Sequence, residues 1–183
     1  MNSKKILLLA AVFACLAINA FAQEPKITSV YTPLADKKCK TLESSAEDAG
    51  SYRGRCLGTA GYKLELLEGD LRQTINVIAP NGKKFELNLW TTVSSAFSFV
   101  GDKAEWRVVT KKGKAMPVAL IVRFNASENT EKPDQTTSYL VVSKITANEV
   151  CITDIVKNGA DANAKARELA DAAAKKSCRT SKD

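Results

Sequence analysis

The chain contains no histidine, and that blank bounds its chemistry. Ser-His-Asp and Cys-His nucleophilic catalysis, imidazole acid–base steps and the usual zinc-enzyme ligand sets are closed to it. Carboxylate, lysine and tyrosine chemistry stays open, but none of these has a sequence-local signature here. A carboxylate-based hydrolase acting on envelope glycans would need two acids facing each other across a cleft, ~5–10 Å apart. Only a fold can supply that, so no catalytic residue is nominated. Glu43, Glu47 and Asp48 form an acidic cluster but lack the loop glycine of a calcium site, so no metal and no cofactor are expected.

The residues with the clearest chemistry are the cysteines. Of the five, Cys15 lies in an N-terminal apolar run, which leaves Cys39, Cys56, Cys151 and Cys178. Four cysteines allow three pairings. The sequence-local one, Cys39–Cys56 and Cys151–Cys178, closes two short loops worth about 3 kcal/mol apiece on the chain-entropy model. A four-cysteine metal site would want C-x-x-C spacing, which is absent.

Six side chains are candidates for binding: Arg72, Trp90, Glu105, Trp106, Arg107 and Arg123. Trp106 between Glu105 and Arg107 reads either as an aromatic recognition patch or as a core tryptophan with two solvated neighbours. Arg72, Arg107 and Arg123 recur in strands. They either align on one sheet face to hold a carboxylate or phosphate, or pair across strands with Glu65, Glu86 or Glu105. Tyr52, Arg53, Tyr62 and Trp90 read as a saccharide-binding surface or as ordinary half-buried aromatics. Asn125-Ala126-Ser127 matches a glycosylation sequon, a match expected by chance, and is given no weight.

The elements that position these residues begin after a leader. Lys4-Lys5, the apolar run Ile6 to Ile18 and Ala20-Phe21-Ala22 follow the order of a cleavable export signal over residues 1–22. The run is 13 residues long, too short for the ~20 that span a bilayer, so no stable membrane anchor is expected after cleavage. Lipoprotein processing at Cys15 is the alternative, disfavoured by bulky Phe13 where a small residue is wanted two positions before the cysteine. Cleavage at Ala22 leaves residues 23–183 as one β-rich domain in the periplasm or outside the cell. Losing Lys4 and Lys5 lowers the formal charge from +7 by two, to +5. The remaining lysine pairs, Lys37-Lys38, Lys83-Lys84, Lys111-Lys112 and Lys175-Lys176, are scattered. They allow a weak attraction to anionic polymers or lipid headgroups, but make no basic stripe for nucleic acid.

Within the mature chain, period-two alternation, and for Val118 to Phe124 an apolar run that reads as a central strand covered on both faces, predict about eight strands. They cover Ile27 to Thr32, Ser51 to Cys56, Tyr62 to Leu66, Leu71 to Val77, Phe85 to Leu89, Glu105 to Val109, Val118 to Phe124, and a last hairpin from Thr137 to Val156. Thr41 to Gly50 reads as a loop. Turns are expected at Glu68-Gly69-Asp70, Pro80-Asn81-Gly82-Lys83 and Lys111-Lys112-Gly113-Lys114. Leu89, Val93, Ala96, Phe97 and Val100 fall at helical spacing and predict a short helix. An alanine-rich helix is expected over 161–177, with an apolar face too thin to hold it by packing. Reduction of Cys151–Cys178 should then release it first. The fold class is α+β: a meander-rich, mainly antiparallel sheet, barrel-like or sandwich-like, with a C-terminal helix.

The runs Gly69-Asp70-Leu71-Arg72-Gln73, Trp90 with Ala96-Phe97, Lys103-Ala104-Glu105-Trp106-Arg107, Ala119-Leu120-Ile121-Val122-Arg123 and Thr137-Ser138-Tyr139-Leu140-Val141-Val142 resemble a group of exported bacterial proteins of unassigned function. The resemblance spans about Tyr31 to Arg179. It implies an exported single-domain protein and no activity. The expected function is non-catalytic binding of an unknown envelope protein or polymer. Inhibition of a secreted hydrolase is one form, although a cationic lysozyme would be repelled by a charge of +5. A purely structural envelope domain is the third reading.

Overall fold

The computed structural model describes residues 26–35, 38–47 and 50–180. The expected leader 1–22, Cys15 within it, and Asp48 lie outside the described residues.

Ten strands form one mainly antiparallel open sheet. They are β1 (Ile27–Pro33), β2 (Lys40–Ser45), β3 (Ser51–Leu57), β4 (Lys63–Gly69), β5 (Arg72–Ile78), β6 (Lys84–Glu86), β7 (Ser98–Lys111), β8 (Lys114–Ala126), β9 (Thr137–Ile145) and β10 (Val150–Lys157). The sheet order is β10-β9-β8-β7-β5-β4-β3-β2, with β1 on β7 and β6 on β5. The two meanders meet at a single parallel pairing, Arg72 with Ser98. The sheet folds over, so that Leu64, Leu66, Ile75 and Val77 of one half share a core with Trp106, Leu120, Val122 and Phe124 of the other. Lys83 Nζ donates to the carbonyl of Asn148 at 3.2 Å, tying the β5–β6 turn to the β9–β10 turn.

Helix α1 (Leu89–Thr92) is a single turn. Helix α2 (Ala162–Asp171) continues into a 3-10 turn at Ala173–Lys175. Its alanines Ala162, Ala166, Ala170 and Ala173 rest on Ala119, Ile121, Leu140 and Val142, on the face of β8 and β9 turned away from the main core. Small side chains on both surfaces let the helix lie close, which offsets the limited apolar area each contributes. The disulfides are Cys39–Cys56 and Cys151–Cys178.

Four expectations are corrected. The strand count is ten, not about eight, partly because Thr41 to Gly50 is not all loop. Apart from half-buried Leu42, strand β2 is polar and exposed, as suits an edge strand with little to bury. The helical spacing of Leu89 to Val100 yields only α1, since β7 already begins at Ser98. The hairpin after β4 turns at Asp70-Leu71, both at positive φ (50° and 56°), a two-residue turn one position beyond Glu68-Gly69-Asp70. The C-terminal helix is shorter than 161–177, because the chain tightens after Asp171 and then extends along β10, where the amide of Arg179 donates to the carbonyl of Ile152 at 2.7 Å.

Candidate functional site

Alternation along β7 sends Ala104, Trp106 and Val108 into the core and turns Glu105 and Arg107 towards α2. Strand β1 pairs beside them, with Tyr31 opposite Glu105 and Ser29 opposite Arg107. Helix α2 supplies the other side. Arg167 Nε donates to Glu105 Oε1 at 2.7 Å, and its Nη2 reaches Glu105 Oε2 and the Tyr31 hydroxyl, both at 3.2 Å. Arg107 Nε and Nη2 donate to the two oxygens of Asp171 at 2.7 and 2.8 Å. Ser29 Oγ donates to Glu105. Burial would raise the Glu105 carboxyl. The hydrogen bonds from Arg167 and Ser29, with the charges of Arg167 and Arg107, outweigh it and hold Glu105 below the usual carboxylate range.

Next to this clasp lies a groove of about 450 Å³. Its functional groups are Tyr31, Phe99, Lys103, Arg123, Asn125 and Asn163, with Asp102 and Glu105 as its acids. Tyr31 and Phe99 are 46% and 48% exposed, large aromatic surfaces left open to solvent. Lys103 Nζ sits 5.1 Å from the centre of the Tyr31 ring, a cation–π distance. Arg123 is anchored through Nη1, which donates to Ser138 Oγ at 2.8 Å and Asn158 Oδ1 at 3.1 Å. Among the described residues, neither Lys103 nor Arg123 has a carboxylate partner. Gly101 makes room for Arg123, because a Cβ there would stand 2.9 Å from the Arg123 Cβ.

The six candidate residues fall in three places. Glu105 and Arg123 line the groove, and Arg107 adjoins it in the clasp. Trp106 is corrected from a recognition residue to a core residue. It is fully buried, its Nε1 donates to Thr32 Oγ1 at 2.9 Å, and its ring meets Tyr62 at 5.9 Å. Arg72 and Trp90 lie elsewhere, in an open hollow with Asp70, Thr91 and Ser95. There Arg72 pairs with Asp70 and lies 4.9 Å over the Phe97 ring. The three arginines therefore do not align on one face.

Nor do they pair across strands with Glu65, which is enclosed instead by Arg55 at 2.9 Å, Lys84 at 2.8 Å and Arg53 at 3.5 Å. The tyrosines are dispersed as well. Tyr52 and Tyr62 pack on the core, while Arg53 lies with Glu43 and Glu65.

Sequence reasoning missed Tyr31, Phe99, Lys103, Asn163, Arg167 and Asp171. Phe97 and Phe99, separated by Ser98, were a strand signal with aromatics on the solvent face; the helical spacing around them masked it. The chain matches no protein-family model, and comparison with curated proteins and with solved structures finds no match.

Proposed function

We propose that the chain is an exported, non-catalytic binding protein that holds an envelope polymer in the groove beside α2. The carrying observation is that half-exposed Tyr31 and Phe99 stand next to Lys103 and Arg123, two cations without carboxylate partners among the described residues. An aromatic face takes the apolar side of a sugar ring. The amides of Asn125 and Asn163 suit hydroxyl groups, and an anchored guanidinium suits a carboxylate. An anionic saccharide polymer meets all of these at once.

The state of Glu105 weighs against the hydrolase alternative. A glycosidase acid keeps its proton near neutral pH because its pKa is raised. Glu105 is shifted the other way and is clasped by Arg167.

Crosslinking pulldown from native cell envelopes tests the proposal. The parent protein should recover an anionic glycan, and Arg123→Ala and Tyr31→Ala should each weaken recovery by about tenfold, the loss of a central interface contact. Equal recovery by parent and both variants would remove the groove from consideration.

A further inference from the structure

Strands β7 and β8 run on together past their neighbours. Pairing of β1 with β7 stops at Ile27–Val109, and pairing of β9 with β8 stops at Lys144–Ala119. The β7–β8 ladder continues to Lys111–Lys114. Among the described residues the hairpin has no strand on either side from Thr110 to Met116, and every residue of it is exposed. Lys112 and Gly113, at φ 49° and 73°, close it in a two-residue turn.

This projecting end is strongly basic. It carries Lys111, Lys112 and Lys114, and Lys26 lies one position before the Ile27–Val109 pair. The chain has no Asp or Glu between Glu105 and Glu128. Among the described residues none of these four lysines has a carboxylate partner. Beside them Met116 is 48% exposed.

We infer that this hairpin end docks the protein onto an anionic lipid surface. Clustered ammonium groups are drawn to anionic headgroups. The flexible Met116 thioether has a place to go at the headgroup–acyl boundary. The two strands of the hairpin pair with each other as far as Lys111–Lys114, so it can meet the hydrated headgroup layer as a formed element, its outward-facing backbone groups still solvated. A soluble polyanion is the poorer fit, because the end is a projecting point and offers it no groove, while Met116 gains nothing from such a partner. Docking is independent of the groove, since Lys103 and Lys111 lie roughly 25 Å apart along β7.

Co-sedimentation with vesicles tests this. The purified protein should bind vesicles of equal parts phosphatidylglycerol and phosphatidylcholine, ignore phosphatidylcholine alone, and release as salt rises. Combining Lys111→Gln, Lys112→Gln and Lys114→Gln should cut partitioning on the order of a hundredfold, about fivefold per lysine. Met116→Ser should weaken it severalfold without changing the salt dependence. All four positions are exposed, so the fold is retained. Undiminished binding by the triple variant overturns the inference. So does equal binding to phosphatidylcholine alone. Dextran sulfate bound as tightly as vesicles, with Met116→Ser unaffected in both, overturns it in favour of a soluble polyanion.

Discussion

Arg107 and Asp171 are 64 residues apart in the chain and meet in a two-point ion pair, at 2.7 and 2.8 Å, that fastens α2 to β7. Arg107 is almost wholly buried, while Asp171 is a third exposed. Removing the arginine leaves Asp171 partly desolvated and deprives Glu105 of a neighbouring cation. Arg107→Ala should therefore cost about 2 kcal/mol in urea unfolding, below the range for a fully buried pair because water still reaches Asp171. Arg107→Lys keeps the charge but loses the planar fork, and should recover only part of the loss. Unchanged midpoints in both variants would show that the clasp does not hold the helix.

Acid stability should depend on Glu65. Burial pushes its carboxyl up, but hydrogen bonds from Lys84 and Arg55, the Lys84 charge and the Asn76 amide bring it down to about 2, against an ordinary 4.5. Between those values the unfolded chain binds the proton and the folded chain does not. Stability is therefore present in full above pH 4.5 and is lost as pH falls towards 2. Glu65→Gln should lower stability at neutral pH on the order of 2 kcal/mol and flatten the decline in that window. Urea titrations at stepped pH would show it. An equally steep decline in the variant would assign the acid sensitivity to other carboxylates.

What was legible from sequence, and what was not, has a physical pattern. β4 and β5 alternate because one face meets the core, and β8 is an unbroken apolar run because its second face meets α2, so these patterns and the intervening turn residues sufficed to place them. β2 has no apolar face to bury, and its residues read as loop because backbone pairing, the Cys39–Cys56 bond and the cross-strand pair Glu43–Arg53 place it beside β3. The first half of β7 hides because Phe99 is apolar yet points to solvent. At the site, Glu105, Arg107 and Arg123 were visible as charges within strands. Their partners were not, because Arg167 and Asp171 come from a helix whose docking position no local pattern encodes.

The Cys151–Cys178 bond should govern less than a thin alanine face implies. Besides the Arg107 and Arg167 clasps, the segment after α2 is held by Lys144 Nζ donating to the carbonyl of Lys176 at 2.8 Å, and by the pair Lys176–Asp154 at 2.7 Å. Changing both cysteines to serine should lower global stability by about 3 kcal/mol through loop entropy. It should raise hydrogen exchange around Lys176 to Thr180, while amides of Ala166 to Ala170 stay protected. Loss of protection through the helix would restore the disulfide as its main anchor.

Gly58 carries the sharpest packing prediction. It lies in the β3–β4 connection, where its amide donates to the carbonyl of Tyr62 at 3.0 Å. A Cβ there would stand 2.7 Å from Trp106 Cζ2 and 2.7 Å from the Tyr62 carbonyl oxygen. Neither neighbour yields easily. The Trp106 ring is enclosed on all sides and tethered to Thr32, and the Tyr62 oxygen is backbone. Gly58→Ala should cost about 2–4 kcal/mol as overpacking. Trp106→Phe removes the offending ring carbon at the expense of a cavity and the Thr32 hydrogen bond. In that background Gly58→Ala should cost at least 1 kcal/mol less, because the two side chains compete for one space. The four proteins of this double-mutant cycle can be compared by urea unfolding. Strict additivity would mean that the strain of Gly58→Ala falls on the Tyr62 backbone alone.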